Sequence, residues 1–269
     1  MQKSIIYVVL LFVSSLVFSS CSLFAPRYEK IEKGEYSFSA AGKTRFSLYN
    51  ISGKIKVHKS TDQSRITVRY EKTAYVKKRD LGSPLTEITL NLDSAGADVK
   101  IETDMENENN VFVFGHDKSN KVDYDIYVPE GIVINLDNTN GQIDLVGLPN
   151  DVKVNTVNGS IKIDNVSGKM DLETSNGAIR GSIDSTKGIT AATINGSIKL
   201  NLGSNVSATV TADVENGSVK VEGLNFKDTN GEKYKKYFKG TLRTGDAKIK
   251  LEAVNGSIRL TGLDNNTEI

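Results

Sequence analysis

"NTVNGSIKIDNVSGKMDLETSNGAI" (155–179) states nearly the same phrase twice. Asn158-Gly159 opens a short alternating run, Ser167-Gly168 opens another, and Asn176-Gly177 begins again. Cut into nines from Asn140, the chain reads NGQIDLVGL, PNDVKVNTV, NGSIKIDNV, SGKMDLETS, NGAIRGSID and STKGITAAT without a gap. One extra residue, Ile194, then precedes NGSIKLNLG, and further copies open at Asn216 (NGSVKVEGL) and Asn255 (NGSIRLTGL). The fourth column runs Ile143, Val152, Ile161, Met170, Ile179, Gly188, Ile198. The sixth runs Leu145, Val154, Ile163, Leu172, Gly181, Thr190, Leu200. Polar residues such as Asp144, Lys153, Lys162, Asp171 and Arg180 lie between them, the alternation of strands with one buried face.

Asn-Gly alternates with looser openings, so the full period is 18 residues, two strands to a coil. In an antiparallel meander, Asn-Gly would form two-residue hairpins and column four would share a face with column eight. Column eight is Gly147, Thr156, Asn165, Thr174, Ile183 and Ala192, a poor partner for buried Ile and Met. In a solenoid each strand lies parallel on the strand one coil earlier, and column four stacks on column four. The columns favour the solenoid: an all-β, parallel β-helix or β-roll with about 18 residues per coil. Glycine at each tight corner is then expected to supply positive φ.

Residues 28–130 also alternate, in stretches such as "RITVRYEKTAYV" (65–76) and "KVDYDIYVPEG" (121–131), but less periodically. They predict a β-rich N-terminal cap over 22–130, partly antiparallel, covering a sheet edge that would otherwise aggregate. The solenoid is expected over 131–269, either as a separate unit or continuous with 28–130. "SGKIKVHKS" from Ser52 fits the nine-residue template and favours continuity.

The N-terminus differs from the rest. "MQKSIIYVVLLFVSSLVFSSC" (1–21) carries one Lys, an apolar run from Ile5 to Val13, small serines and the only cysteine of the chain. A run this short followed by small residues reads as an export signal. "VFSSC" resembles a bacterial lipobox, with Phe18 where the strict pattern has an aliphatic residue. Residues 1–21 are therefore expected to be a lipoprotein signal peptide ending at Cys21, the lipid attachment residue. A doubly acylated cysteine holds a protein durably on a membrane. The expected location is the bacterial cell envelope, outside the cytoplasm, anchored and not spanning.

Lys plus Arg (34) nearly balances Asp plus Glu (33). No global field attracts nucleic acid, which is not expected as a partner. The histidines, His58 and His116, sit in alternating segments or turns without a nucleophile motif nearby in sequence. Asp144, Asp164, Asp171 and Glu173 take outward or turn positions whose spacing the repeat dictates, as expected of a solvated face. Calcium-binding β-rolls need paired glycines and a recurring Asp at each turn; these units have neither. No catalytic residues, metal ligands or cofactors are predicted, and the chain is expected not to be an enzyme. One stretch has interaction character: "EKYKKYFKG" (232–240) interleaves Lys233, Lys235, Lys236 and Lys239 with Tyr234, Tyr237 and Phe238. Lys233, Tyr234, Lys235, Lys236, Tyr237 and Lys239 form the candidate contact patch for an envelope glycan or protein. The bland alternative is a hairpin with packed aromatics and solvated lysines.

"VDYDIYVPEGIVINLDNTNGQIDL" (122–145), followed by the recurring "NGSI", resembles the bacterial "putative adhesin" family of DUF4097-like, or head-GIN-like, domains over roughly residues 45–263. The turn Val128 to Gly131 before the first regular coil is the most specific part. The resemblance implies a β-helical or β-roll extracytoplasmic domain, frequently on lipoproteins, and brings no catalytic residues. Together these readings predict a lipid-anchored, adhesin-like binding or structural scaffold. An accessory of envelope-stress signalling and a carbohydrate-active β-helix enzyme are the alternatives.

Overall fold

A computed structural model describes residues 27–105, 119–230 and 236–263. The first strands are β1 (Arg27–Ser39), β2 (Arg45–Ser52), β3 (Ile55–Lys59), β4 (Arg65–Lys77), β5 (Ile88–Asp93) and β6 (Asp98–Met105). Next come β7 (Lys121–Val128), β8 (Val133–Asn140), β9 (Ile143–Val146), β10 (Val152–Asn158), β11 (Ile161–Asp164) and β12 (Lys169–Asn176). The last are β13 (Ile179–Ile183), β14 (Gly188–Leu202), β15 (Ala208–Glu222), β16 (Phe226–Asn230), β17 (Tyr237–Leu242) and β18 (Ala247–Gly262). A single 3-10 turn, Lys78–Asp80, is the one helical element among the described residues.

The repeat stacks like upon like. Ile161 lies beside Ile143 on one side and Ile179 on the other, each 18 residues away in a parallel register. Val152 is likewise flanked by Ile134 and Met170. All of these are buried, in one core that runs the length of the stack. Each such side chain contributes roughly 1.5–3 kcal/mol before entropy is subtracted. The architecture is the predicted parallel β-solenoid of 18-residue coils.

The stacking order departs from chain order at both ends. From one end it runs β6/β7, β2/β3, β8/β9, β10/β11, β12/β13, β14, β18, β15. The coil of residues 45–59 is thus sandwiched between β6/β7 and β8/β9, and β18 is an inner rung. Antiparallel strands cover the ends: β5 on β6, β4 on β7, and β1 on β4 at one end, β17 on the first half of β15 and β16 on β17 at the other. Strands β2, β3, β6 and β7 are therefore rungs of the solenoid, and only β1, β4 and β5 act as the antiparallel cover at that end. The turn after β7 is fixed from the next coil, where buried Asn150 donates to the carbonyls of Pro129 (2.7 Å) and Ile132 (2.8 Å).

Three expectations need correction. Gly188 and Thr190 were expected in columns four and six, but Ile189 pairs with Met170 and Ala191 with Leu172. The extra residue is taken up in the corner between Ile183 and Gly188, so that apolar Ile189 and not Gly188 enters the core; Ile194 itself is exposed. The second correction concerns the corner glycines. Gly53 and Gly141 have φ of +125° and +128°, but φ at Gly159, Gly177 and Gly196 lies outside the left-handed region. The shared requirement is space: a Cβ on Gly159 would sit 2.0 Å from the carbonyl oxygen of Gly141. Third, Asp144 is not solvated but buried, where Lys54 holds it at 2.7 Å.

Two polar ladders follow the Asn-Gly corner. On the outside, each asparagine donates its side-chain amide to the next: Asn158 to Asn140, Asn176 to Asn158, Asn195 to Asn176, Asn255 to Asn195 and Asn216 to Asn255, at 2.9–3.0 Å. Stacked amide ladders of this kind reinforce parallel, in-register strands. On the inside runs a buried ladder of Asn50, Asn138, Thr156, Thr174 and Thr193. Thr174 and Thr193 donate to the carbonyls of Gly159 (2.8 Å) and Gly177 (3.1 Å), and Asn138 to those of Gly53 and Gly141. Column eight is thus buried where it reads Thr156 and Thr174, and the Thr174 hydroxyl bonds a corner carbonyl there.

Candidate functional site

A groove of about 1180 Å³ runs across the stack beside the Asn-Gly corner, from β6 to β15. Strand alternation explains its walls. Residues flanking the buried ladder point outward, so the position before it forms one external ladder and the position after it another. The first follows the stacking order Glu102, Tyr49, Asp137, Asn155, Glu173, Ala192, Glu252, Asp213. The second carries Ile51, Thr139, Val157, Ser175, Ile194, Val254 and Glu215. Neither ladder is continuous in sequence, since stacking order and chain order differ.

Chemically the groove is one-sided. Among the described residues, seven carboxylates line it, Glu102, Asp104, Asp137, Glu173, Asp213, Glu215 and Glu252, and no Lys or Arg does. Two of these have neighbours on their own strands: Lys100 reaches Glu102 at 2.9 Å, and Lys250 reaches Glu252 at 2.8 Å. The hydrogen bond to Glu102 holds the Lys100 ammonium above its usual range. That ammonium also lies 4.9 Å from the centre of the Tyr49 ring. Asp137 accepts from the Asn155 amide at 2.7 Å. Among the described residues, no cation pairs with Glu173, Asp213 or Glu215. Of the nine large hydrophobic residues left exposed among the described residues, five line this groove: Tyr49, Ile51, Val157, Ile194 and Val254. Exposed apolar groups clustered in this way mark an interaction surface.

A second hollow, of about 680 Å³, lies on the N-terminal cover between β1, β3, β4 and β7. Its charges neutralise one another: Arg69 pairs with Glu35 at 2.8 Å and Lys33 with Glu71 at 2.7 Å. Nearby, His58 lies 3.0 Å from Asp125 and stacks on Tyr127. His116 and Cys21 lie outside the described residues. Asp164 and Asp171 stand on the outer faces of their strands, away from the groove, and of the carboxylates singled out from sequence only Glu173 lines it. No cluster of three or more His, Cys, Asp or Glu among the described residues could hold a metal ion.

The predicted contact patch is divided. Lys233, Tyr234 and Lys235 lie outside the described residues. Lys236, Tyr237 and Lys239 are exposed on the β16–β17 hairpin, while Phe238 is fully buried edge-on against Phe226. Phe238 therefore anchors the hairpin over the end of the core. The patch does not line the groove but adjoins its end: Tyr237 pairs with Asp213, and the Lys236 ammonium donates to the Glu215 carbonyl at 2.6 Å. Sequence reading missed the groove because its residues are scattered from 49 to 254. The only signal was the outward column on either side of column eight in alternate units.

Residues 133–261 match the model of the Toastrack DUF4097 family. Among solved structures, the chain is similar to a "putative cell adhesion protein" from Clostridium sporogenes ATCC 15579, at 14% identity over 88% of this chain and 100% of that one, with a TM-score of 0.44. It is also similar to a "putative adhesin" from Bacteroides fragilis NCTC 9343, at 13% identity over 87% of this chain and 97% of that one, with a TM-score of 0.32. These superpositions are too loose to carry an argument. No curated protein matches the chain. That family match runs from β8 into β18, over the regular coils of the stack.

Proposed function

We propose that this protein is a non-catalytic, adhesin-like binding scaffold of the bacterial cell envelope, tethered by a lipid on Cys21 and binding through the groove of its stacked coils. The observation that carries the reading is the convergence of carboxylates and exposed aliphatic residues in one groove on a stack with every rung hydrogen-bonded to the next. A rigid ladder presents side chains at a fixed repeat of about 4.8 Å, so a ligand meets many weak contacts without ordering a flexible loop. The hairpin residues Lys236, Tyr237 and Lys239 extend the contact surface at one end, with Lys233, Tyr234 and Lys235 assigned to the same patch. The export signal read from residues 1–21 agrees with this role.

The test compares sedimentation of the chain from Ser22 onward with bacterial envelope fractions. Three forms are needed: wild type, Val157→Asp with Ile194→Asp, and a deletion of 232–239. Groove-dependent co-sedimentation is expected, with the double substitution reducing it at least tenfold and the fraction's polysaccharides left intact. Undiminished binding by the groove variant, or hydrolysis of the polysaccharide, would overturn the reading.

A further inference from the structure

Resting on the groove as the binding face, we infer that its ligand class is an extended, cationic, amphiphilic peptide segment. Two independent features of the groove converge on that chemistry.

Charge comes first. Seven carboxylates, with no lining cation among the described residues, repel anionic polymers, which sets aside nucleic acid, phosphate-rich envelope polymers and anionic lipid headgroups at this surface. Glu102 and Glu252 already have lysine partners, but Glu173, Asp213 and Glu215 have none among the described residues. They are available to a ligand's ammonium or guanidinium groups.

The second feature is the apolar ridge. Ile51, Val157, Ile194 and Val254 stand 36–50% exposed, two residues along their strands from the carboxylate ladder. A small polyamine would leave that ridge wet. An extended peptide alternates its side chains between two sides, so one strand can set cationic groups on one ladder and aliphatic groups on the other.

The backbone sets the form of the contact. The strands' own N–H and C=O groups are consumed between coils, so recognition must use side chains. Eight coils at about 4.8 Å span about 34 Å, the length of about ten extended residues.

The experiment measures binding of labelled ten-residue peptides by fluorescence anisotropy to the chain from Ser22 onward, which retains every described residue. The probes are five Lys-Leu repeats, five Lys-Ser repeats and five Glu-Leu repeats. The Lys-Leu peptide is expected to bind at least tenfold more tightly than Lys-Ser, with affinity falling as salt rises, and the Glu-Leu peptide is expected not to bind. Glu173→Lys with Asp137→Lys should weaken Lys-Leu binding at least tenfold. Val157→Ser with Ile194→Ser should weaken it several-fold, each variant keeping the wild-type melting temperature. Equal binding of the Glu-Leu peptide, or insensitivity to the charge reversal in a folded variant, would overturn the inference. Groove-dependent binding to envelope fractions without Lys-Leu binding would overturn this ligand class alone; loss of both would overturn the binding face as well.

Discussion

Asn255 donates its side-chain amide to Asn195 across 2.9 Å, although sixty residues separate them. The bond places β18 between β14 and β15, so that the last coil in sequence is an inner rung of the stack. Removing it would leave two strand edges facing an empty slot.

That arrangement makes the C-terminus structural. Truncation after Asp246, which deletes β18, is expected to abolish cooperative unfolding of the whole stack, because coils in a solenoid are stabilised by their neighbours. Truncation after Leu263 should leave the urea midpoint unchanged. Circular dichroism during urea titration checks both, and a cooperative transition in the first truncation would contradict the topology.

Ile161 is fully buried and adjacent Lys162 is exposed. Ile161→Ala should destabilise the fold by about 2–5 kcal/mol, and Lys162→Ala by no more than about 0.5 kcal/mol. Chemical denaturation measures both; equal midpoints would refute the assigned faces.

Gly159 tests the close approach of corners. Its added methyl would meet the Gly141 carbonyl at 2.0 Å, whereas one on Gly82 would meet nothing within 4 Å. Gly159→Ala is expected to cost at least about 1–3 kcal/mol through overpacking; Gly82→Ala should be neutral or slightly stabilising. The comparison removes helix and strand propensity as an explanation only if the Gly159 variant is clearly the worse of the two.

Burial pushes the phenols of Tyr70 and Tyr124 well above the usual range, and Tyr124 shares a 2.7 Å hydrogen bond with Thr103. The folded state therefore keeps protons that the unfolded state releases, so stability is retained below about pH 10 and falls as pH rises beyond it. Ultraviolet phenolate absorbance should show these two tyrosines ionising only with unfolding, and Tyr124→Phe should lessen the alkaline decline. Ionisation of every tyrosine in the folded protein at its ordinary pH would contradict the assigned burial.

The coil was legible because aliphatic residues recur every 18 positions, as at Ile143, Ile161 and Ile179, and parallel stacking is the arrangement that buries all of them. Gly188 was misplaced because a one-residue insertion leaves the motif intact on either side, and only core packing decides which corner absorbs it. Thr174 looked like a surface residue, since nothing local in sequence announces that a threonine will bond to a glycine carbonyl of the neighbouring corner. The groove was illegible for a larger reason. Tyr49 and Asp137, like Asp213 and Glu252, become neighbours only through the stacking order, and that order inserts β2/β3 and β18 between coils that other segments form. The basic hairpin drew notice as a local cluster, yet its central aromatic, Phe238, is a core residue.

The stacking order can be tested most directly with paired cysteines in the chain from Ser22 onward, which contains none of its own. Lys199 pairs with Arg259, and Arg259 with Lys220, so Lys199 and Lys220 lie two strand spacings apart, about 9.6 Å. A disulfide needs Cα atoms within about 7 Å. Oxidation is expected to close Cys pairs placed at 199 with 259 and at 220 with 259, and to leave the pair at 199 with 220 reduced. Ready closure of 199 with 220 would mean that the coils stack in chain order, contradicting the solenoid described.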